Sequence, residues 1–142
     1  KNSSENNRSC VVLVDTGTQR ILLTADIEKE AEQVLVLSGQ DIHADILLSP
    51  HHGSKTSSSP AFLDAVNASN VIVSSGFHNR FHHPATNVMQ RYYDRDATVF
   101  NTAELGAVRI LLSSAGIDIR PALCEQAFFW RIARYNSNCD KY

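Results

Sequence analysis

Ala44-Asp45-Ile46-Leu47-Leu48-Ser49-Pro50-His51-His52-Gly53-Ser54-Lys55-Thr56-Ser57-Ser58-Ser59 reads as a strand that ends in a loop rich in reactive side chains. The apolar run Ile46 to Leu48 stops at Pro50, which cannot donate to a sheet ladder. Gly53 is free to take positive φ, so the chain turns where His51 and His52 project. Open α/β sheets keep their binding sites at the carboxyl ends of strands. A His-His pair suits ligand contact and hydrogen-bonded loop histidines equally well, so the neighbouring strands have to decide between them.

Upstream, Cys10 to Val14 and Arg20 to Leu23 are β-branched or aliphatic runs around the turn-forming Asp15-Thr16-Gly17-Thr18-Gln19, which predicts a hairpin. The second strand stops at Thr24-Ala25-Asp26. A helix follows over Ile27 to Leu35, with Ile27, Ala31, Val34 and Leu35 on one face. Asp26 at that junction has two readings. It is an N-cap accepting backbone N–H groups of the first turn, or it shares a rim with the His pair, because the next strand, Ile42 to Leu48, would lie beside the one it follows.

Downstream, Ser59 and Pro60 suit the start of a helix with Phe62, Leu63 and Val66 inward. Val71-Ile72-Val73 is a fully apolar strand of the kind found in the middle of a parallel sheet. It runs into Ser74-Ser75-Gly76-Phe77-His78-Asn79-Arg80-Phe81-His82-His83-Pro84, a third strand end carrying polar and histidine residues. A helix over Thr86 to Arg95, a strand at Thr98 to Phe100, a turn at Asn101 to Gly106, and strands at Ala107 to Leu112 and Ile117 to Arg120 complete the pattern. The expected fold is α/β: a mixed sheet with flanking helices, an opening hairpin, three strand-helix repeats and a C-terminal antiparallel extension. The closing Phe128, Phe129, Trp130 and Ile132, among Arg131 and Arg134, read as a tail packing its aromatics on the sheet, with single-stranded nucleic acid as the other use of an aromatic cluster with interleaved arginines.

The 142 residues, 43% hydrophobic, suit a single domain over 1–142 with its own core. A formal net charge of −2 gives no global basic field, so a nucleic-acid contact would need a local patch. No apolar run reaches membrane-spanning length, and no signal-peptide pattern is expected. Three cysteines (Cys10, Cys124, Cys139) without CxxC spacing argue against a zinc knuckle, and Cys124 with Cys139 can pair.

Thr24-Ala25-Asp26-Ile27-Glu28-Lys29-Glu30-Ala31-Glu32, Ala44-Asp45-Ile46-Leu47 running into Pro50-His51-His52-Gly53-Ser54-Lys55-Thr56-Ser57-Ser58, and Asn79-Arg80-Phe81-His82-His83-Pro84 together resemble the C-terminal metallo-β-lactamase-like domain of ComEC/Rec2-type competence proteins, the inner-membrane channels of natural transformation. The resemblance covers about Asn7 to Ile119. It departs from the family in having Ala25 where Thr-Gly-Asp is usual. The superfamily's upstream His-x-His-x-Asp-His motif is also absent from these residues, so the resemblance is to the C-terminal half of an αβ/βα sandwich.

The resemblance implies a metal-dependent nuclease, a phosphodiesterase acting on DNA during uptake. It would use two divalent ions, zinc or manganese, in the complete domain. Asp26, His51 and His52 would be ligands, Asp26 as the bridging carboxylate and His52 favoured over His51. Asp26, His52 and His83 would be catalytic, and Ser54, Lys55, Asn79, Arg80 and His83 would contact substrate. The implied partners are single-stranded DNA and the membrane channel of the same protein, and the implied place is outside the cytoplasm, on the periplasmic side in a Gram-negative cell. Half a ligand set would leave the isolated chain inactive. A sheet face left bare by a missing half would favour a homodimer of the fragment. Two other readings stand beside this one. One is a non-catalytic module guiding DNA along Lys55, Arg80, Arg91 and Arg95. The other is a different phosphodiesterase of the superfamily, of the phosphorylcholine esterase type.

Overall fold

A computed structural model describes residues 4–125. The closing aromatic cluster and Cys139, and with Cys139 the expected pairing to Cys124, lie outside the described residues. Strands β1 (Val12–Asp15) and β2 (Arg20–Leu23) form the expected antiparallel hairpin. Beside β2 lie β3 (Ile46–Leu48), β4 (Asn70–Val73) and β5 (Thr98–Asn101), each parallel to the one before, in the order β1-β2-β3-β4-β5. Helices α1 (Lys29–Leu37), α2 (Pro60–Val66) and α3 (Thr86–Tyr93) make the three crossovers. Because each crossover steps one strand in the same direction, a common handedness puts all three helices on one face.

The packing agrees. Leu22, Leu47, Val71, Val73 and Val99 point to the helix side, where Phe62, Leu63 and Val66 of α2 and Val88 and Tyr92 of α3 bury them. Residues one step out of phase, Ile46, Ile72 and Phe100, point the other way. There they meet the short α4 (Thr102–Leu105) and a second hairpin, β6 (Val108–Ser113) with β7 (Gly116–Pro121), after which α5 (Ala122–Glu125) begins.

Three expectations change here. The C-terminal strands do not extend the main sheet. They form a two-stranded sheet of their own laid over its second face. That face is therefore covered at its centre, with Ile46 fully buried and Phe100 4% exposed, while at the β1–β2 end the described residues Val12, Val14 and Leu23 are exposed. The expectation of a sheet face left wholly bare is thereby corrected. The helix after β2 starts at Lys29 with Glu28 in the N-cap position, so Asp26 is not its cap. Ile27 misled the boundary because it is buried, at 1% exposure, although it precedes the helix.

Candidate functional site

Three loops leave the carboxyl ends of β2, β3 and β4 and are bonded to one another. Thr24 Oγ1 donates to the Leu48 carbonyl at 2.7 Å. The His51 N–H donates to the Ala25 carbonyl at 3.0 Å, and the Ala85 N–H to the Gly53 carbonyl at 2.9 Å. Ala25, His51 and His52 all sit at positive φ (48°, 48° and 56°), a conformation that costs a non-glycine residue about 1–3 kcal/mol and that concentrates at functional sites. The Pro-His-His-Gly stretch, Pro50–Gly53, is thus a tight turn that aims its two imidazoles apart, with ring centroids 6.5 Å from each other.

His52 faces Asp26, with Nε2 3.4 Å from Oδ1, and both side chains are about half exposed. Its Nδ1 lies 2.7 Å from the Ser74 carbonyl. A carbonyl only accepts, so Nδ1 carries the hydrogen and Nε2 is the atom turned to Asp26. His51 pairs instead with Glu28 at 3.4 Å, in a more sheltered position. Glu28 Oε1 also accepts from Thr56 Oγ1 and from Asn6 Nδ2, each at 3.3 Å. His83 comes in from the third loop across a cis His83–Pro84 bond, 6.0 Å from the His51 ring. Burial, and then the neighbouring charges of His51 and His52, hold its imidazole below the usual histidine range.

Asp26, His51, His52 and His83 are therefore gathered on one rim, as the sequence suggests. Glu28 is the residue that sequence reasoning missed, because in the string it passes for an ordinary acidic residue of the first helical turn. The remaining candidates are placed differently. Asn79 spends its amide on its own loop: Nδ2 donates to the Gly76 and His83 carbonyls at 3.0 and 2.6 Å, and Oδ1 accepts the His83 N–H at 2.9 Å. Ser54 is buried beside Thr56, and Ser57 donates to the Pro50 and Ser54 carbonyls. Lys55 is exposed on the same loop, and Arg80 lies over the Phe81 ring at 4.7 Å.

The loop has firm support from below. The buried Glu32 of α1 accepts the N–H groups of Ser58 and Ser59. The Tyr92 hydroxyl sits between Ser49 Oγ and Ser58 Oγ at 2.7 and 2.6 Å. Arg91 donates to the Ser57 and Ser58 carbonyls, and Arg95 bonds Asp64. These two arginines hold structure together, which removes half of the expected phosphate track.

The spacing of 3.4 Å between Asp26 Oδ1 and His52 Nε2 is what two ligands at about 2.0–2.1 Å subtend at a tetrahedral metal. Among the described residues, however, no three His, Cys, Asp or Glu side chains converge on one point. His51 is turned to Glu28, and the His83 ring lies 6.0 Å from that of His51. Zinc sites take three or four protein ligands, so these residues do not by themselves make a metal centre.

Fold and rim together define an α/β domain whose parallel strands present carboxylate-paired histidines at their carboxyl ends. The chain is homologous to ComEC/Rec2-family proteins: it is 33% identical over 132 residues to competence protein ComA of Neisseria gonorrhoeae, 36% over 107 residues to ComE operon protein 3 of Bacillus subtilis, and 39% over 119 residues to recombination protein 2 of Haemophilus influenzae. These matches take in 92%, 75% and 84% of this chain, which spans only 19%, 14% and 15% of the respective relatives. No family model matches the chain. Among the described residues no helix is long and apolar enough to cross a membrane.

Proposed function

We propose that this segment is a DNA-handling domain of a competence protein and that the rim of Asp26, His51, His52 and His83 acts on the phosphodiester backbone of DNA being taken up. The observation that carries the reading is the convergence of two histidine-bearing loops on a third that carries a half-exposed carboxylate, in a homologue of proteins named for competence. Hydrolysis of a phosphodiester needs a group to accept a proton from the attacking water and a donor for the departing oxygen. His83, held neutral by burial, suits the first task. His52, whose ring is fixed by Ser74 on one side and faces Asp26 on the other, has a defined orientation for proton transfer. Lys55 supplies local charge for a phosphate.

In this reading the domain has the metallo-β-lactamase-like architecture, works on the outer side of the membrane where DNA arrives, and takes single-stranded DNA. Commitment of Arg91 and Arg95 to the scaffold disfavours a purely guiding module built on those cations. The test is cleavage of a labelled single-stranded oligonucleotide by the intact protein, with and without chelator and with added Mn²⁺ or Zn²⁺, for the wild type and for Asp26→Asn and His52→Ala. Loss of cleavage in both variants is expected. Equal cleavage in every lane would end the hydrolytic reading, and the chelator lanes decide metal dependence separately.

A further inference from the structure

Beside the histidine rim, the loop after β4 lines, with residues of α3 and α4, an open cavity of about 800 Å³. Phe77, His78, His82, His83, Tyr93 and Glu104 are among its lining residues. Phe77 and Tyr93 on its lining, and Phe81 on the same loop as Phe77 beside it, are placed against the usual rule of burial: Phe77 and Phe81 are each 63% exposed and Tyr93 is 53% exposed. They are nevertheless ordered as stacks. Phe77 lies on His78 at 4.0 Å with 15° between the planes, Phe81 lies on His83 at 5.8 Å with 20°, and the Arg80 guanidinium lies over the Phe81 ring. The bonds from Asn79 to Gly76 and His83 hold this loop in shape, so the rings are presented on a preorganised support.

We propose that Phe77 and Phe81, with Arg80, form a stacking platform for unpaired bases of a DNA single strand, and that the cavity behind them receives one base. The inference rests on the proposed DNA-handling function and names the part of the substrate that this loop would read. Exposed aromatic rings flanked by an arginine are how sequence-tolerant single-strand sites hold bases. The volume falls within the range of small-ligand pockets and suits a flat heterocycle. Glu104, which accepts from Asn101 Nδ2 at 3.2 Å, puts a carboxylate at the wall, so the cavity disfavours a phosphate and accepts the neutral part of a nucleotide. Phosphates would stay outside, near Arg80 and Lys55. His83 joins the two regions, since the ring that stacks on Phe81 also lies 6.0 Å from His51. A strand whose base is stacked here is thereby held with its backbone along the histidine rim. Duplex DNA, with its bases already stacked on one another, cannot use the platform.

The experiment measures binding of the intact protein to fluorescent oligonucleotides in three forms: single-stranded, duplex, and single-stranded with abasic sites in place of bases. Wild type is expected to bind the natural single strand about ten- to a hundredfold more tightly than the abasic strand. The Phe77→Ala/Phe81→Ala variant is expected to lose that margin while keeping its affinity for the abasic strand. Circular dichroism and a thermal melt confirm that the variant is folded, and Phe77→Trp/Phe81→Trp, which keeps the ring faces, should restore the margin. If wild type binds natural and abasic strands alike, or if the alanine variant binds as wild type does, the stacking inference is overturned while the DNA-handling function stands. The exposed rings would then serve another contact, such as a protein surface. Failure to bind any of the three probes overturns the DNA-handling function, and the stacking inference with it.

Discussion

The α-carbon of Gly53 lies so close to Pro84 that a β-carbon on Gly53 would fall 2.7 Å from Pro84 Cβ. This contact lets the loop after β4 lie against the Pro-His-His-Gly turn, and it sets how near His83 comes to His51. Gly53 also has a φ of +77°, so an alanine there meets a backbone penalty of about 1–2 kcal/mol as well as an overpacking cost of about 1–3 kcal/mol. Gly53→Ala should therefore lower the unfolding free energy by roughly 2–5 kcal/mol in urea denaturation. A change below about 0.5 kcal/mol, the size of an ordinary surface substitution, would show that the two loops are not in contact.

Ala25 is the opposite case. It carries a β-carbon at a φ of +48°, where the resembled family usually has glycine, and its carbonyl accepts the His51 N–H. Ala25→Gly removes that strain while keeping the bond, and the extra freedom of glycine in the unfolded chain offsets part of the gain. The expected result is a stability increase of up to about 1 kcal/mol, read from the shift in denaturation midpoint. A loss of 1 kcal/mol or more would contradict it.

The parallel order was legible in the string because Ile46 to Leu48 and Val71 to Val73 are apolar on both faces and each ends at a turn residue. The placement of β6 and β7 was not legible. Their alternation shows that one side of the hairpin is buried, and it carries no information about which sheet buries it. The rim was legible in Asp26, His51, His52 and His83, since histidines after successive parallel strands must gather at one edge. The supporting roles of Glu32, Arg91 and Arg95 were not legible, for a single reason. Charged residues on short amphipathic helices read as solvent-facing, and only the fold shows Glu32 fully buried beneath the serine loop.

Tyr92, 1% exposed on α3, supports that loop through Ser49 and Ser58. Burial raises its phenol above the ordinary value of 10.0, against the smaller lowering by the two serine bonds. The unfolded chain therefore loses this proton first as pH rises, and the stability contributed by neutral Tyr92 is full below about pH 10 and declines above it. Tyr92→Phe should cost about 1–2 kcal/mol at neutral pH and should flatten the fall in stability above about pH 10. Parallel alkaline slopes for the two proteins would rule this account out.

His83 gives the complementary pH window. Its lowered value means that the unfolded chain takes up this proton first as pH falls through about 6.5, so the stability tied to neutral His83 is present above that pH and is lost on acidification. In NMR titration His83 should protonate below the ordinary histidine range. His51→Ala should move it only part of the way back, because burial is the larger cause. An ordinary titration midpoint in wild type, or full recovery in His51→Ala, would contradict the assignment of causes.

Asp26 separates function from stability most sharply. Its carboxylate is half exposed and caps no helix, and its one described ionic partner is His52 at 3.4 Å. Exposed pairs of this kind contribute about 0–1 kcal/mol, so Asp26→Asn should leave stability within about 0.5 kcal/mol of wild type. The ring of His52 should also stay in place, because its Nδ1 bond to Ser74 is untouched and the new amide can donate to Nε2. What the substitution removes is the negative charge, so any loss of DNA cleavage would come from that charge and not from a displaced histidine. Glu28→Ala makes the contrast. It strips the N-cap position of a side chain bonded to Asn6 and Thr56 and paired with His51, and should cost about 1 kcal/mol or more. Thermal melts and single-strand cleavage measured on the same two variants test the assignment: Asp26→Asn should melt like wild type and fail to cleave. If it cleaves normally, or fails only because it has unfolded, Asp26 has no place in the chemistry.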